Sequence, residues 1–255
     1  MNPDENRSDG REGWGKVYRG TFDRAPLSAS RPSFPTGADG MNSRWVVVAG
    51  GELADENLGA IRPEDRVVGV DGGVQALRRV NLPIHLAVGD FDTLGSQAPR
   101  LLKEAGIPVK RLPAEKDMTD TQYAVETAIA EGAQEILVLG ALGGARFDHA
   151  LANLFLLEKI EAAGIRGTIE NVSNRIRLHP GAGKELWLKR GLFPYVSLLA
   201  LTDQVEGVSL EGFRYPLCEA TLYRPYPRGI SNELVASRGK IRIRSGKLLV
   251  VESRD

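Results

Sequence analysis

Five acidic residues of this chain fall in short motifs where carboxylates could act together. Asp71 opens Asp71-Gly72-Gly73, and Asp90 and Asp92 stand in Gly89-Asp90-Phe91-Asp92. Asp117 and Asp120 belong to Lys116-Asp117-Met118-Thr119-Asp120. Two carboxylates about 4 Å apart repel by about 4 kcal/mol at an effective dielectric near 20. Three or four sharing one crevice therefore need a cation. An all-oxygen ligand set suits magnesium, which proteins usually share with substrate phosphates. Asp71, Asp90, Asp92 and Asp120 are the candidate ligands. A lone Asp after a strand is more often a turn or cap residue, so it is the grouping that points to a site.

Phosphate chemistry has its own candidates. Lys116 is placed to contact a phosphate. Asp117 and Thr119 either cap the helix that follows or face a nucleotide. Gly143-Gly144-Ala145-Arg146-Phe147-Asp148-His149 opens another helix. A glycine pair lets the backbone approach a phosphate, and a helix N-terminus attracts anions. Arg146 could grip phosphate oxygens in a fork. Asp148 could orient Arg146 or bind a ligand hydroxyl. His149 could carry a proton, although a histidine at a helix start is more often structural. The Gly-x-x-x-x-Gly-Lys-Ser/Thr phosphate loop is absent from the sequence. Ser231-Asn232-Glu233 alone reads only as a turn.

The elements that must hold these residues follow from the apolar pattern. Trp45–Ala49, Arg66–Val70, His85–Val88 and Glu135–Leu139 are runs apolar on both faces, each closed by Gly or Asp. Buried parallel strands look like this. Helices are predicted over Val74–Val80, Ser96–Ala105, Thr119–Glu131 and Phe147–Ala163. In the third, Tyr123, Ile129 and Ala130 should share a face with Ala124 and Ala128. Thr119 or Asp120 caps its start and Gly132 its end. Alternating strands and helices predict a doubly wound α/β domain with a mostly parallel sheet over residues 44–168. Ligands of such sheets bind outside the carboxyl ends of the strands, where the acidic motifs lie.

Residues 169–255 lose the helical period. Glu185–Leu188, Tyr195–Leu201, Thr221–Tyr223 and Ile230–Val235 read as short strands, predicting an all-β sandwich or partial barrel. Ile241–Arg244 alternates, Ser245-Gly246 turns, and Lys247–Val251 reads as the returning strand of a hairpin. At the other end, Gly, Pro and Ser supply 15 of the first 44 positions, with no apolar period. Residues 1–43 are expected to form a disordered, dispensable extension, unless Met41 is the true start.

Composition excludes several classes. Lys+Arg and Asp+Glu are both 33, a net charge of 0 that leaves no footprint for nucleic acid or an acidic membrane. No apolar run reaches the roughly 18 residues of a membrane span. The single cysteine, Cys218, forbids an internal disulfide and a multi-cysteine zinc site, which suits a reducing cytoplasm.

Taken in order, these motifs resemble those of thiamine pyrophosphokinases (thiamine diphosphokinases), over about residues 44–255. The resemblance rests on Asp71-Gly72-Gly73, Gly89-Asp90-Phe91-Asp92-Thr93, Lys116 to Asp120, Gly143 to His149 and Ser231-Asn232-Glu233. Thr93 departs from a more usual Ser but keeps the hydroxyl. The resemblance implies transfer of a pyrophosphoryl group from ATP, the co-substrate, to the hydroxyl of thiamine, giving thiamine diphosphate and AMP. It implies a homodimer with shared active sites, an α/β nucleotide-binding domain and a β-sandwich thiamine-binding domain. Asp71, Asp90, Asp92 and Asp120 would support magnesium and the triphosphate. Arg146 and Asp148 would act beside them, and Gly72, Gly73, Lys116, Asp117, Thr119, Gly143 and Gly144 would meet the nucleotide. Ser231 and Asn232 would lie near thiamine, with Tyr215 as the candidate aromatic wall. Asp120 or Asp92 could accept the hydroxyl proton. Two alternatives stand beside this reading: a related diphosphokinase acting on another heterocyclic alcohol such as a hydroxymethylpterin, and a non-catalytic sensor of thiamine or nucleotide.

Overall fold

The computed structural model describes residues 43–92, 95, 97–113 and 115–255. The expected extension up to residue 42, the alternative start at Met41, and Thr93 lie outside the described residues. Six strands pair in parallel. They are β1 (Arg44–Val48), β2 (Arg66–Val70), β3 (Leu86–Gly89), β4 (Val109–Arg111), β5 (Glu135–Leu139) and β6 (Arg166–Glu170). Their order is β6-β5-β1-β2-β3-β4. Successive strand residues point to opposite faces, and Trp45, Val46, Val47 and Val48 are all fully buried. Both faces of β1 are therefore covered, as its uninterrupted apolar run requires.

The covering helices are α1 (Asp55–Leu58), α2 (Gly72–Arg79), α3 (Ala98–Glu104), α4 (Asp120–Ala130) and α5 (Phe147–Ala162). Leu58 of α1 and Ala76 and Leu77 of α2 pack with Val46, Val48, Val67, Leu137 and Leu139. Each fully buried Val or Leu contributes about 1.5–3 kcal/mol. On α4 the buried positions are Ala124, Val125 and Ala128. Tyr123 and Ile129 are half-buried and Ala130 is exposed, so the expected stripe is narrower and built from small residues. The Thr119 Oγ1 caps α4 by accepting from the Gln122 N–H at 3.1 Å.

The sheet does not stop at β6. Strand β7 (Asn174–Leu178) pairs antiparallel with β6, and β14 (Leu248–Ser253), β9 (Tyr195–Ala200) and β12 (Asn232–Glu233) continue outward. Ten strands result, in the order β12-β9-β14-β7-β6-β5-β1-β2-β3-β4. A second, four-stranded sheet has the order β11-β10-β13-β8. Its members are β8 (Glu185–Lys189), β10 (Gln204–Glu211), β11 (Ala220–Tyr223) and β13 (Arg238–Arg242). Val196, Leu198, Leu248 and Val250 of the long sheet meet Leu188, Val205, Val208, Leu210, Leu222 and Ile241 of the short one. That shared core makes the sandwich.

One local expectation is corrected here. Ile241–Arg244 and Lys247–Val251 do not form a hairpin. β13 is flanked by β10 and β8, so neither edge is free for β14, which lies between β7 and β9. Ser245-Gly246 instead carries the chain from one sheet to the other. The strand expected over Ile230–Val235 shrinks to Asn232–Glu233, because Ser231 adopts a positive φ of 58°.

His179 ties the two sheets together. It is 2% exposed, its Nε2 lies 3.0 Å from the Ile241 carbonyl, and its Nδ1 accepts the Gly181 N–H at 3.2 Å. The ring is thus neutral with Nε2 protonated, and burial lowers its pKa. Below the unfolded value near 6.5 the unfolded chain takes up a proton that the folded ring resists. Stability from this site is present above that pH and is lost as pH falls through the window beneath it. His85, also lowered by burial and then by Arg66, adds in the same direction. The two histidines pull the melting temperature down from pH 7.5 to pH 5, against Asp71, whose carboxyl is raised to about 6 and takes up its proton in the folded chain over the same range. His179→Gln should cost about 1–3 kcal/mol at pH 7.5 and flatten that slope. A slope identical to that of the unaltered protein would refute the assignment.

Candidate active site at the strand ends

Strand order reverses between β1 and β5, the place where open α/β sheets form a ligand crevice. A cleft of about 560 Å³ opens there. Gly50, Gly51 and Glu52 line it after β1, Asp71 and Gly72 after β2, and Asp90 after β3. Gly143, Gly144 and Arg146 line it after β5. Lys116, Thr119 and Asp120 enter from the start of α4, and Asn153 from α5. A larger hollow of about 790 Å³ between α2 and α3 has Arg78, Arg79 and Leu101 in its wall. None of the acidic motifs reaches it.

Backbone geometry aims the carboxylates. Phe91 takes a positive φ of 63° and is 2% exposed. It packs against Val74, Ala87 and Leu102. This buried anchor turns Asp90 and Asp92 outward, and the Asp92 N–H donates to the Asp90 Oδ1 at 3.0 Å. Asp71 is itself strained, with φ 43° and ψ −114°. Residues in such regions cost on the order of 1–3 kcal/mol and concentrate at functional sites. A Cβ on Gly89 would stand 1.8 Å from the Asp71 Oδ1, so the glycine makes room for that carboxylate.

The electrostatics are unbalanced. The Asp71 carboxyl is pushed up to about 6, first by burial and then by the charge of Asp120, with Asp90 adding to it. Lys116 is drawn in, its Nζ lying 3.1 Å from the Asp120 Oδ2 and 2.9 Å from the Pro113 carbonyl. The Asp120 Oδ1 is buried without a hydrogen-bond partner. A partnerless buried carboxylate oxygen beside a destabilised carboxylate is a natural place for a cation. Among the described residues, no three His, Cys, Asp or Glu side chains stand close enough to form a metal centre as they are placed.

The other expected residues divide. Asp92 faces a neighbouring recess that it shares with Asp90. Asp117 is exposed and is not part of the cleft wall. Gly73 is buried, and a Cβ on it would lie 1.9 Å from the Val48 carbonyl oxygen. Its place in the fold is the close packing of α2 on β1. Asp148 grips Arg146 in a fork at 2.9 and 2.6 Å, which lowers Asp148 to about 2. Asn232 is 7% exposed. Its Oδ1 accepts the Tyr215 N–H at 3.0 Å, and its Nδ2 donates to the Tyr215 carbonyl at 2.8 Å. The Asn232 amide therefore positions Tyr215, which is 59% exposed. Ser231 donates its N–H to the Ser197 Oγ at 3.0 Å. Glu52 and Asn153 are cleft residues the sequence reading missed. Gly50-Gly51 at the end of β1 was a usable signal for Glu52; Asn153, part-way along α5 and donating to the Ala141 carbonyl at 3.1 Å, offered none.

The chain is similar to known proteins over most of its length. A family model for the catalytic domain of thiamin pyrophosphokinase matches residues 60–169. One for the vitamin B1 binding domain of thiamin pyrophosphokinase matches residues 184–249. Thiamine pyrophosphokinase of Bacillus subtilis is 30% identical over 211 residues, 82% of this chain and 98% of that protein. A crystal structure of thiamine pyrophosphokinase from Bacillus subtilis superposes with a TM-score of 0.76 at 29% identity, covering 84% of this chain and 100% of that one. A second, from Geobacillus thermodenitrificans, gives 0.74 at 31% identity, covering 83% and 98%. The Candida albicans structure, at 14% identity and TM-score 0.70 over 84% and 90%, shares the fold.

Proposed function

This chain belongs to the thiamine pyrophosphokinase family, and on that premise we propose how its cleft transfers a pyrophosphoryl group from ATP to thiamine and where the acceptor binds. In this transfer the thiamine hydroxyl oxygen bonds to the β-phosphorus and the bond from that phosphorus to the oxygen shared with the α-phosphorus breaks. AMP leaves with that oxygen, and the hydroxyl proton passes to a base. Reactions of this kind demand positioning and neutral surroundings for charge more than covalent chemistry.

The observation that carries the reading is the partnerless Asp120 Oδ1 in the same cleft as the raised Asp71 carboxyl at the strand ends. Asp71, Asp90 and Asp120, with Asp92 beside Asp90, would hold a magnesium ion; when bound, it neutralises charge on the transferring group. Gly143 and Gly144 let the backbone approach the phosphates. Arg146, held by Asp148, adds a planar donor at the start of α5. Lys116 supplies positive charge at the start of α4.

Sheet order supports a shared site. Tyr215 and Asn232 sit at β12, the first strand of ten, and Asp71 follows β2, the eighth. Seven spacings of about 4.8 Å separate them by roughly 34 Å along the sheet. One thiamine cannot span that, so with Tyr215 as the acceptor wall the reading has a second copy bring its own Tyr215 to the cleft. Phe147, Leu151 and Phe155, exposed to 75%, 41% and 51%, form a stripe along α5 that begins beside Arg146. A second copy of this chain suits that stripe better than water does. Cytoplasmic placement is part of the same reading and suits an exposed, free Cys218. Among the described residues no helix is long and apolar enough to cross a membrane.

AMP release, measured with thiamine, with a hydroxymethylpterin and with no acceptor, tests the proposal. Release with thiamine alone is expected. Release with the pterin instead would assign another acceptor, and thiamine binding without release would make the protein a sensor.

A further inference from the structure

Beyond Asp90 the cleft continues into a smaller recess of about 380 Å³, lined by Asp90, Asp92, Arg111, Leu112 and Pro113. We propose that Arg111 makes this recess the subsite for the terminal phosphate of ATP. The inference rests on the pyrophosphokinase reading and adds a specific donor to it.

Arg111 ends β4, a strand of only three residues. Its position is fixed by the parallel register that sets it against Gly89, and by the Leu112 N–H, which donates to the Gly89 carbonyl at 2.9 Å. Leu112 is 8% exposed and anchors the turn. Arg111 therefore stands one strand from Asp90, about 4.8 Å in sheet spacing. Asp90 lines both spaces, so a group held between them passes directly over it.

Charge selects the ligand. Among the described residues three cationic side chains line the cleft and the recess: Lys116, Arg146 and Arg111. Lys116 is paired with Asp120 and Arg146 with Asp148. Among the described residues Arg111 forms no ion pair within 4.0 Å. A guanidinium with its fork free matches two oxygens of a phosphate. Size gives the direction. The larger cleft, which holds the glycine pair, takes the nucleoside and inner phosphates. The smaller recess takes the last one, leaving the β-phosphorus over the carboxylates.

The test compares two nucleotides that differ only in that phosphate. Binding of α,β-methylene ATP and α,β-methylene ADP, neither of which can be cleaved at the reacting bond, is measured by calorimetry with magnesium. The proteins are the full-length chain, Arg111→Gln and Arg111→Lys. Arg111→Gln is expected to weaken the triphosphate at least about tenfold, the worth of a charged hydrogen bond. It should leave the diphosphate within about twofold, the scatter of a surface substitution. Arg111→Lys should recover part of the loss. Equal weakening of both ligands, or of neither, would overturn the subsite and leave the pyrophosphokinase reading standing. If the unaltered protein binds neither nucleotide, the reading itself falls and the subsite with it.

Discussion

Asp90→Asn is expected to lower kcat/KM by about 10²–10³-fold, the size of losing one preorganised charge at a reacting centre. Asp92→Asn should be comparably damaging. Neither should unfold the protein. Asp90 is one of the charges that push the Asp71 carboxyl up to about 6, so removing it relieves repulsion that the fold otherwise bears. The melting temperature of the unliganded Asp90→Asn protein should hold or rise while turnover is lost. Steady-state kinetics at saturating magnesium, paired with thermal melts, check both halves. Near-native rates would remove Asp90 from the site. Lost activity with a lower melting temperature would make its role structural.

Mixing two inactive variants should restore activity. Asp90→Asn lesions the cleft, and Tyr215→Ala lesions the acceptor wall roughly 34 Å away along the same sheet. If each site joins the cleft of one subunit to the Tyr215 of the other, a heterodimer contains one site with both lesions and one with none. Equal mixing makes half the dimers heterodimers, so about a quarter of full activity should return. A site contained within one chain would carry a lesion in every copy, and no activity would return. Light scattering on the same samples gives the oligomeric state, and a fully active monomer near 27.7 kDa would also refute the shared site.

The nucleotide-binding half was legible because burial on both faces writes itself into a strand as an unbroken apolar run, as in Val46–Val48. The motifs of Asp71, Asp90 and Asp92 were legible for a related reason: each follows such a strand, where the fold puts ligands. What failed to show had weaker local signals. β4 is three residues of mixed polarity, Val109-Lys110-Arg111, and its Arg111 could not be placed beside Asp90 without the register. β10 is eight residues long, yet a register shift between Val205 and Val208, at Gly207, breaks its alternation. β6 carries a charge at each end, and β7 carries Arg175 and Arg177 at alternate positions. The mistaken hairpin came from reading a turn between two strands as pairing. Pairing depends on which edges are free, and the neighbours of β13 are distant in sequence. Asn232 was read as lying near thiamine because its motif suggested it; that its amide holds the N–H and carbonyl of Tyr215 could be seen only in the fold.

The ten-stranded sheet also bears on how this protein avoids sticking to itself. A sheet exposes unpaired N–H and C=O groups only along its two margins. Here those margins are β4, three residues bearing Lys110 and Arg111, and β12, the two residues Asn232 and Glu233. Both are short and charged, which blunts growth of the sheet by added strands. Severing the chain near residue 168 would cut through β6 and uncover the side of β5, whose Ile136, Leu137, Val138 and Leu139 are all nearly or fully buried. The separated nucleotide-binding half would then present a long apolar margin and be prone to aggregate, even though its motifs read as an independent domain. The antiparallel strands thus act as a sealant for the parallel ones.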